Sequence, residues 1–182
     1  GELVNTAGAG AFAGYYNDPE ADADRMRGGM YWSGDLAYRD ADGWIHFAGR
    51  TSEWMRVDGE NLAAAPIERV LMRHPAVRAA AVYAVPDPGD PERGVPGVGD
   101  QVMAAIVADD LDAAGLGAFL AEQEDLSPKA WPRWVRVHGD IEDLPRTATT
   151  KVLKRELAAA GPTAPGGVLW VRGARSWEFG VG

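Results

Sequence analysis

Two hydrophobic patterns follow one another along the chain. The first part carries short apolar runs at residues 3–4, 30–32, 36–38 and 44–47, which predict short strands. His46 alternates with Ile45 and Phe47, so its side chain is expected on a solvated face. The first part therefore predicts a small β-rich unit.

Turn-forming residues separate these predicted elements. Asp18 precedes Pro19, which predicts a helix that begins at Pro19, is capped by Asp18 and runs to about Met26, before a pair of glycines. The segment Asp40–Gly43 predicts a hairpin turn, because its glycine accommodates a positive φ. A second tight turn is predicted at Ser33–Asp35, between two of the short strands.

The pattern changes near residue 49, and longer periodic segments follow. Ile67, Val70 and Leu71 stand at helical spacing and predict an amphipathic helix over 62–73. Further strands are predicted over 77–85, 101–107 and 134–137, and further helices over 116–124 and 151–160. This order suits a small sheet flanked by helices. Residues 161–182 are predicted as a glycine-rich tail, in which 168–171 and Trp177 can still dock.

Composition limits the class of protein. A chain of 182 residues can form one large or two small domains, and its 46% hydrophobic and 25% charged residues are ordinary for a soluble protein with a core. A net charge of −9 argues against a nucleic-acid-binding surface. The chain has no cysteine, which excludes a disulfide scaffold and a thiolate zinc site.

Membrane and metal signals are missing from the pattern. No apolar run approaches the ~20 residues that a bilayer span requires, and there is no signal-peptide pattern, so a cytoplasmic location is expected. His74 and His138 have no neighbours at ligand spacing. No metal site is therefore predicted.

The segment Leu144–Leu157 gathers cations where a helix is expected to begin. Lys151, Lys154 and Arg155 fall in its first turns, although the N-terminus of a helix already carries partial positive charge. One explanation is a solvated basic helix start. The other is that Lys151 is held out on a loop edge to meet an anion.

Two candidate nucleotide-binding residues precede that segment. Asp35 follows Gly34 in the predicted tight turn, where its carboxylate can accept hydrogen bonds from both hydroxyls of a ribose or can simply be solvated. Arg50 follows Gly49 where the pattern changes, and its guanidinium can fork onto nucleotide oxygens or form a surface ion pair.

These residues belong to a set of motifs that resembles a known family. Taken in chain order, the set is similar to the C-terminal third of the adenylate-forming (AMP-binding) superfamily, which includes acyl-CoA synthetases, firefly luciferase and the adenylation domains of peptide synthetases. The motifs are residues 31–36, 49–50, 56–62 and 144–157. Within the resemblance, which extends to about Ala160, Gly59–Leu62 and Ala65–Glu68 are most similar to the long-chain and very-long-chain fatty acyl-CoA synthetases.

The resemblance implies an α/β (α+β) architecture in two parts. Residues 1–48 would be a β-rich remnant of a larger N-terminal domain, followed by a hinge at 49–52. Residues 53–160 would form a compact C-terminal lid domain with a small sheet flanked by helices, and 161–182 would remain as a tail.

The resemblance also implies roles for individual residues. Asp35 would bind the ribose, Arg50 would contact the ribose of the adenylate, and Ser52 would occupy the pivot of the hinge, where the family usually has Asp or Lys. Lys151 matches the adenylation lysine. Gly59 would lie on the loop along which the pantetheine of CoA enters, although a simple turn glycine is an equal alternative.

The function implied is that of an AMP-forming acid-thiol ligase. An ATP-dependent acyl-CoA synthetase joins a carboxylate, here expected to be a fatty acid, to AMP and then passes the acyl group to CoA, with Mg²⁺ accompanying ATP. The chain has no equivalent of the family's phosphate loop or acyl pocket and no initiator Met. We therefore expect a fragment that is inactive without the missing N-terminal domain. The alternatives are an adenylating domain that loads a carrier protein and a non-catalytic nucleotide- or CoA-binding module.

Overall fold

The computed structural model describes residues 1–89, 94–173 and 178–182, which divide into two compact units, 1–53 and 54–182. The predicted hinge at 49–52 lies just before this division. Trp177, which was expected to be able to dock, lies outside the described residues.

The first unit is a small antiparallel sheet in which one long strand pairs with three others. The long strand is β3, and a short helix, α1, connects β1 to β2. The elements are β1 (Glu2–Asn5), α1 (Pro19–Arg25), β2 (Met26–Arg27), β3 (Met30–Arg39) and β4 (Ile45–Arg50).

The predicted tight turn at Ser33–Asp35 is wrong, because β3 runs without interruption through these residues. Contacts with β1 hold the segment extended: the Ser33 hydroxyl donates to the carbonyl of Leu3 over 2.9 Å, and the backbone N–H of Gly34 donates to Glu2 Oε1 over 2.9 Å. Gly34 absorbs the local distortion with φ +76°.

The predicted helix cap at Asp18 and the predicted hairpin turn at Asp40–Gly43 are confirmed. Asp18 caps α1 by accepting a hydrogen bond from the N–H of Ala21 over 3.0 Å. Asp40 accepts a hydrogen bond from the N–H of Trp44 in the β3–β4 hairpin, where Gly43 has φ +90°. These contacts depend on neighbours in sequence, which is why the sequence pattern predicts them.

The second unit is a hairpin and a five-stranded mixed sheet with helices on both faces. The strand order in the sheet is β11-β10-β9-β8-β7, in which only the β8–β9 pair is parallel. Its strands are β5 (Trp54–Val57), β6 (Glu60–Ala63), β7 (Val77–Pro86), β8 (Asp100–Ala108), β9 (Trp134–His138), β10 (Val168–Arg172) and β11 (Phe179–Val181). Its helices are α2 (Ala64–Leu71), α3 (Ala113–Ala121) and α4 (Lys154–Ala160).

The central strand β8 is buried on both faces. Val102, Ala104 and Ile106 face a core that includes α2, α3 and β5. The alternate residues, such as Met103 and Val107, face a second cluster to which α4 contributes. Because both faces of the strand are buried, its sequence is a continuous hydrophobic run and does not alternate with polar residues.

The structure shifts the predicted starts of the helices. α2 begins at Ala64, because Leu62 pairs with Met55 in the β5–β6 hairpin. α3 begins at Ala113, because Asp112 caps it by accepting from the N–H of Gly115 over 2.6 Å. α4 begins at Lys154, three positions after Lys151.

Residues 161–182 were predicted as a glycine-rich tail in which 168–171 can still dock, and this docking is confirmed. Strands β10 and β11 extend the sheet beside β9. Trp170 and Phe179 are 5% and 7% exposed, and both belong to the same core as α2 and α3. Burial of these two aromatic side chains outweighs the glycine-rich composition of the segment.

Within the described residues, no helix is both long and apolar enough to cross a bilayer.

Candidate functional site

Asp35 and Arg50 lie opposite each other in the β3–β4 pair. Nε of Arg50 donates to Oδ1 of Asp35 over 3.0 Å, and the side chains are 48% and 29% exposed, respectively. The register of the two strands shifts between Leu36 and Ala37, so the pair stands at the end of the ladder beyond an irregularity. A carboxylate and a guanidinium held in this way can both still contact a ligand from solvent.

Gly34 is favoured beside this pair by its backbone conformation, because its φ of +76° disfavours a side chain. A Cβ at this position would also overlap the guanidinium of Arg25, the end of a flexible side chain that would have to move. Arg25 donates to the carbonyl of Trp32 over 3.4 Å, and the Thr51 hydroxyl donates to the carbonyl of Gly34 over 3.4 Å. Glycine here lets a neighbouring side chain reach the backbone of β3.

Arg25 and Thr51 also line an open, polar cleft of about 510 Å³ in the first unit, together with Glu2 and Tyr15. No sequence signal marks Arg25 or Thr51 as functional residues. A basic residue at the end of a short helix and a Thr after Arg50 carry no motif. Only the three-dimensional fold brings them beside Gly34.

Lys151 lies on a tight loop and not in a helix, so the prediction that a helix opens on it is wrong. Arg146 and Val152 form an isolated bridge that closes the loop. Thr147 closes it further, because its N–H donates to the carbonyl of Lys151 over 2.9 Å and its hydroxyl accepts from the N–H of Lys151 over 3.1 Å. The side chain of Lys151 is exposed. Its backbone is therefore fixed while its ammonium is free to reach an anion.

The three cations of this segment have different surroundings. Nζ of Lys154 contacts Oε1 of Glu68 over 2.8 Å, and these side chains are 22% and 21% exposed, respectively. Arg155, the next residue of α4, is exposed. Lys154 is thus engaged within the fold, whereas Lys151 points its charge outward from a loop.

Gly59 lies in the two-residue turn of the β5–β6 hairpin. Asp58 and Gly59 have φ values of +47° and +80°, which is the pattern of a type I′ turn and explains the Asp-Gly pair. A Cβ on Gly59 would meet no heavy atom within 4 Å. The backbone conformation requires the glycine here, and the space around the turn is open.

Ser52 is the middle residue of a 3-10 helix, Thr51–Glu53, that connects β4 to β5. The division between the two units follows Glu53. A single turn of 3-10 helix has few hydrogen bonds to hold it, and such turns are common connectors.

The structure thus joins Asp35 with Arg50 in the first unit, while Lys151 and Gly59 lie on two separate loops of the second. Among the residues that the structure describes, no group of three or more His, Asp or Glu residues could hold a metal ion.

Similar proteins were found by sequence, although no family model matches the chain. The chain is 60% identical over 164 residues to the medium/long-chain-fatty-acid–CoA ligase FadD17 of Mycobacterium marinum. It is 54% identical over 160 residues to the steroid-22-oyl-CoA synthetase of Rhodococcus jostii. These matches cover 88% and 86% of this chain but only 30% and 27% of the relatives.

Solved structures resemble the fold. The ATP-bound MatB of Rhodopseudomonas palustris matches with a TM-score of 0.65 and 29% identity, over 82% of this chain and 28% of that protein. The o-succinylbenzoate CoA synthetase MenE of Bacillus subtilis, in complex with its acyl-adenylate intermediate, also matches with a TM-score of 0.65 and 29% identity. That match covers 80% of this chain and 28% of that protein.

The chain spans about 30% of the length of these relatives. The two comparisons agree, because the relatives found by sequence and the MenE structure found by fold are named as CoA ligases or CoA synthetases. The chain is homologous to acyl-CoA ligases of the adenylate-forming family.

Proposed function

We propose that this chain supplies nucleotide-binding and catalytic groups to an ATP-dependent acyl-CoA synthetase. The enzyme would join a carboxylate to AMP with release of pyrophosphate, and would then transfer the acyl group to the thiol of CoA. The observation that carries the proposal is the half-exposed Asp35–Arg50 pair, which stands in a chain 60% identical to part of a fatty-acid–CoA ligase.

Asp35 is proposed to bind the ribose. A carboxylate can accept hydrogen bonds from two neighbouring hydroxyls, and charge-assisted bonds are the stronger kind. Arg50 holds Oδ1 of Asp35 at 3.0 Å, which fixes the carboxylate before the nucleotide arrives. Its planar guanidinium retains donors that can reach further oxygens of the adenylate.

Lys151 is proposed to assist adenylation. Attack of a carboxylate on the α-phosphate brings two anions together, and a positioned ammonium stabilises the charge that develops in the transition state. The exposed side chain on a hydrogen-bonded loop suits this role, because the flexible stem of lysine can extend while the backbone stays fixed.

Gly59 and Ser52 are proposed to act in the second half-reaction. The units would reorient at Ser52, which lies in the short 3-10 connection between them. The β5–β6 turn would then approach the pantetheine of CoA at Gly59. The open space around this turn is compatible with a passing ligand.

Magnesium would accompany ATP and neutralise its phosphates. The described residues offer no group of three acidic or His ligands, so the phosphates and the rest of the enzyme would supply its coordination. ATP and CoA would be substrates, and the N-terminal part of the enzyme would supply the phosphate loop and the acyl pocket.

The substrate is proposed to be a fatty acid, since the relatives include the medium/long-chain-fatty-acid–CoA ligase FadD17 of Mycobacterium marinum. A second candidate is a steroid side-chain carboxylate, because the chain is 54% identical to part of the steroid-22-oyl-CoA synthetase of Rhodococcus jostii. Both candidates are apolar carboxylic acids. A carrier protein in place of CoA is a further alternative for the acceptor.

The test uses the full-length enzyme with ATP and a panel of medium-chain, long-chain and steroid acids. Acid-dependent exchange of pyrophosphate into ATP, followed by acyl transfer to CoA, is the expected result. Transfer to a phosphopantetheinylated carrier protein and not to CoA would favour the alternative acceptor. The 182-residue chain alone should catalyse no exchange. Failure of the full-length enzyme to form an acyl-adenylate with any of the acids would contradict the proposal.

A further inference from the structure

Glu68 lies where three elements of the second unit meet. Its Oε1 accepts a hydrogen bond from the backbone N–H of Val82 on β7 over 2.7 Å, and it contacts Nζ of Lys154 on α4 over 2.8 Å. Glu68 itself belongs to α2, next to the buried Ile67. One carboxylate thus links both helices to the sheet.

The contact with Val82 has a clear origin. β7 is an edge strand of the five-stranded sheet, so every second backbone N–H points away from β8 and needs another partner. Val82 is fully buried, with 0% exposure, and water cannot satisfy its N–H easily. The carboxylate of Glu68 fills this requirement.

The contact with Lys154 offsets an unfavourable charge arrangement. α4 begins at Lys154 and has no side-chain cap, because its N-cap is Leu153. Lys154 and Arg155 add positive charge to the N-terminus of the helix, which already carries partial positive charge. Both members of the Glu68–Lys154 pair are about four-fifths buried, where an ion pair is screened less than on the surface. The pair therefore anchors the first turn of α4 to β7.

This first turn is continuous with the loop of Lys151. The N–H of Leu153 donates to the carbonyl of Pro145 over 2.8 Å, and the N–H of Glu156 donates to the carbonyl of Leu153 over 2.9 Å. Leu153 therefore connects the closed loop to the helix. A shift of α4 at Lys154 would displace Lys151, only three positions away.

We propose that Glu68 is a positioning residue for Lys151, which it holds in place through Lys154 and the first turn of α4. The inference rests on the proposed role of Lys151 in adenylation. The charge of Glu68 would thus have a second effect besides stabilising the fold, because it positions Lys151, a residue that Glu68 itself does not contact.

The first test is Glu68→Gln in the full-length enzyme. Glutamine keeps an oxygen for the N–H of Val82 and removes the charge that faces Lys154. We expect the kcat of acyl-adenylate formation to fall roughly 10-fold, because small displacements of a catalytic group strongly reduce the rate. The KM for ATP and the conversion of preformed acyl-adenylate with CoA should stay unchanged. Glu156→Gln, an exposed carboxylate on α4, is the matched control and should leave all three unchanged.

The second test combines Glu68→Gln with Lys151→Ala. If Glu68 acts through Lys151, then Glu68→Gln should slow adenylation in the wild-type background and have no further effect once Lys151 is alanine. An equal slowing in both backgrounds, or none in the wild type, would overturn the inference while leaving the role of Lys151 intact. If Lys151→Ala itself leaves adenylation unchanged, the proposed role of Lys151 fails and the inference fails with it, whereas the proposed acyl-CoA synthetase activity fails only if the full-length enzyme forms no acyl-adenylate.

A second variant tests the inference even if Glu68→Gln misfolds. Lys154→Met removes the same ion pair from the other side and leaves the bond between Glu68 and Val82. If Glu68→Gln does not fold, Lys154→Met should reproduce the kcat defect and its dependence on Lys151. A folded Lys154→Met enzyme with normal adenylation would overturn the inference.

Discussion

Arg50 donates a hydrogen bond from Nε to Oδ1 of Asp35 over 3.0 Å, across the pair of strands β3 and β4. The two residues are fifteen positions apart in the sequence and belong to different motifs. Their contact places a ribose-binding candidate and a phosphate- or ribose-binding candidate together at one end of the β3–β4 ladder.

Asp35→Ala should weaken nucleotide binding with little effect on folding. Loss of two charge-assisted hydrogen bonds to a ribose predicts a rise of roughly 10- to 100-fold in the KM for ATP of the full-length enzyme. The free energy of unfolding should change by less than about 1 kcal/mol, because the pair with Arg50 is partly exposed to solvent. Asp42→Ala, in the exposed turn of the same hairpin, serves as control. An equal KM for the two variants would contradict the ribose-binding role.

Lys151→Ala should affect only the first half-reaction. We expect acyl-adenylate formation in the full-length enzyme to slow by roughly 10²–10³, the scale for loss of one charge-stabilising donor. Preformed acyl-adenylate and CoA should react normally, since the lysine would have rotated away with its unit. Rapid-quench measurements of each half-reaction separate the two effects.

Arg155→Ala is the control for Lys151→Ala. Arg155 is exposed on α4, whereas Lys154, the other nearby cation, is paired with Glu68, and its loss is expected to displace Lys151. Equal losses of adenylation from Lys151→Ala and Arg155→Ala would mean that general basicity matters and not one placed ammonium.

Gly59→Ala tests whether Gly59 serves only the turn or also contacts CoA. Its φ of +80° disfavours a side chain, although a Cβ would meet no atom within 4 Å, so the substitution should destabilise the chain by about 1 kcal/mol. Gly43→Ala is a matched control, with φ +90° and equally open space in the other hairpin. Both variants should lose a similar amount of stability, but only Gly59→Ala should slow thioester formation. Equal rates for the two variants would leave Gly59 as a turn residue.

Ser52→Pro tests the hinge. Proline fixes φ near −65°, so the rotation between the two units should be hindered in the full-length enzyme. Thioester formation should then slow more than adenylation, as measured by the two half-reactions separately. Ser52→Ala keeps the backbone free and should be normal in both. If Ser52→Pro is also normal in both, the pivot lies elsewhere.

His138 should make the stability of the second unit depend on pH. Burial lowers the pKa of His138, an effect that Arg136 adds to and Asp143 opposes; among the described residues its Nε2 has no hydrogen-bond partner. A lowered folded-state pKa means that the unfolded chain takes up a proton first. Stability is therefore complete above about pH 6.5 and is lost as the pH falls from there towards the folded-state pKa.

The measurement is thermal unfolding of the 182-residue chain at about pH 7.5 and 5.5. His138→Phe should reduce the loss of Tm between these two conditions. His46→Phe, which replaces an exposed histidine, should not reduce it in the same way. An unchanged pH dependence in His138→Phe would show that another group is responsible.

The sequence alone determines the features that rest on neighbours in the chain. The cap of α1 at Asp18, the Asp58–Gly59 turn and the buried face of α2 at Ile67, Val70 and Leu71 all follow from local chemistry or periodicity. The order of the motifs was also sufficient to indicate the family, because each motif is a short stretch of residues whose types can be read directly.

Only the tertiary structure decided the features that depend on partners far away in sequence. Ser33–Asp35 is strand and not turn because β1 binds it, and residues 161–182 join the sheet because Trp170 and Phe179 are buried there. Glu68 is an ordinary helix acid in the sequence, and it gains its importance from an edge strand and a distant lysine. Hydrophobic burial and the pairing of buried polar groups are non-local, so no short pattern records them.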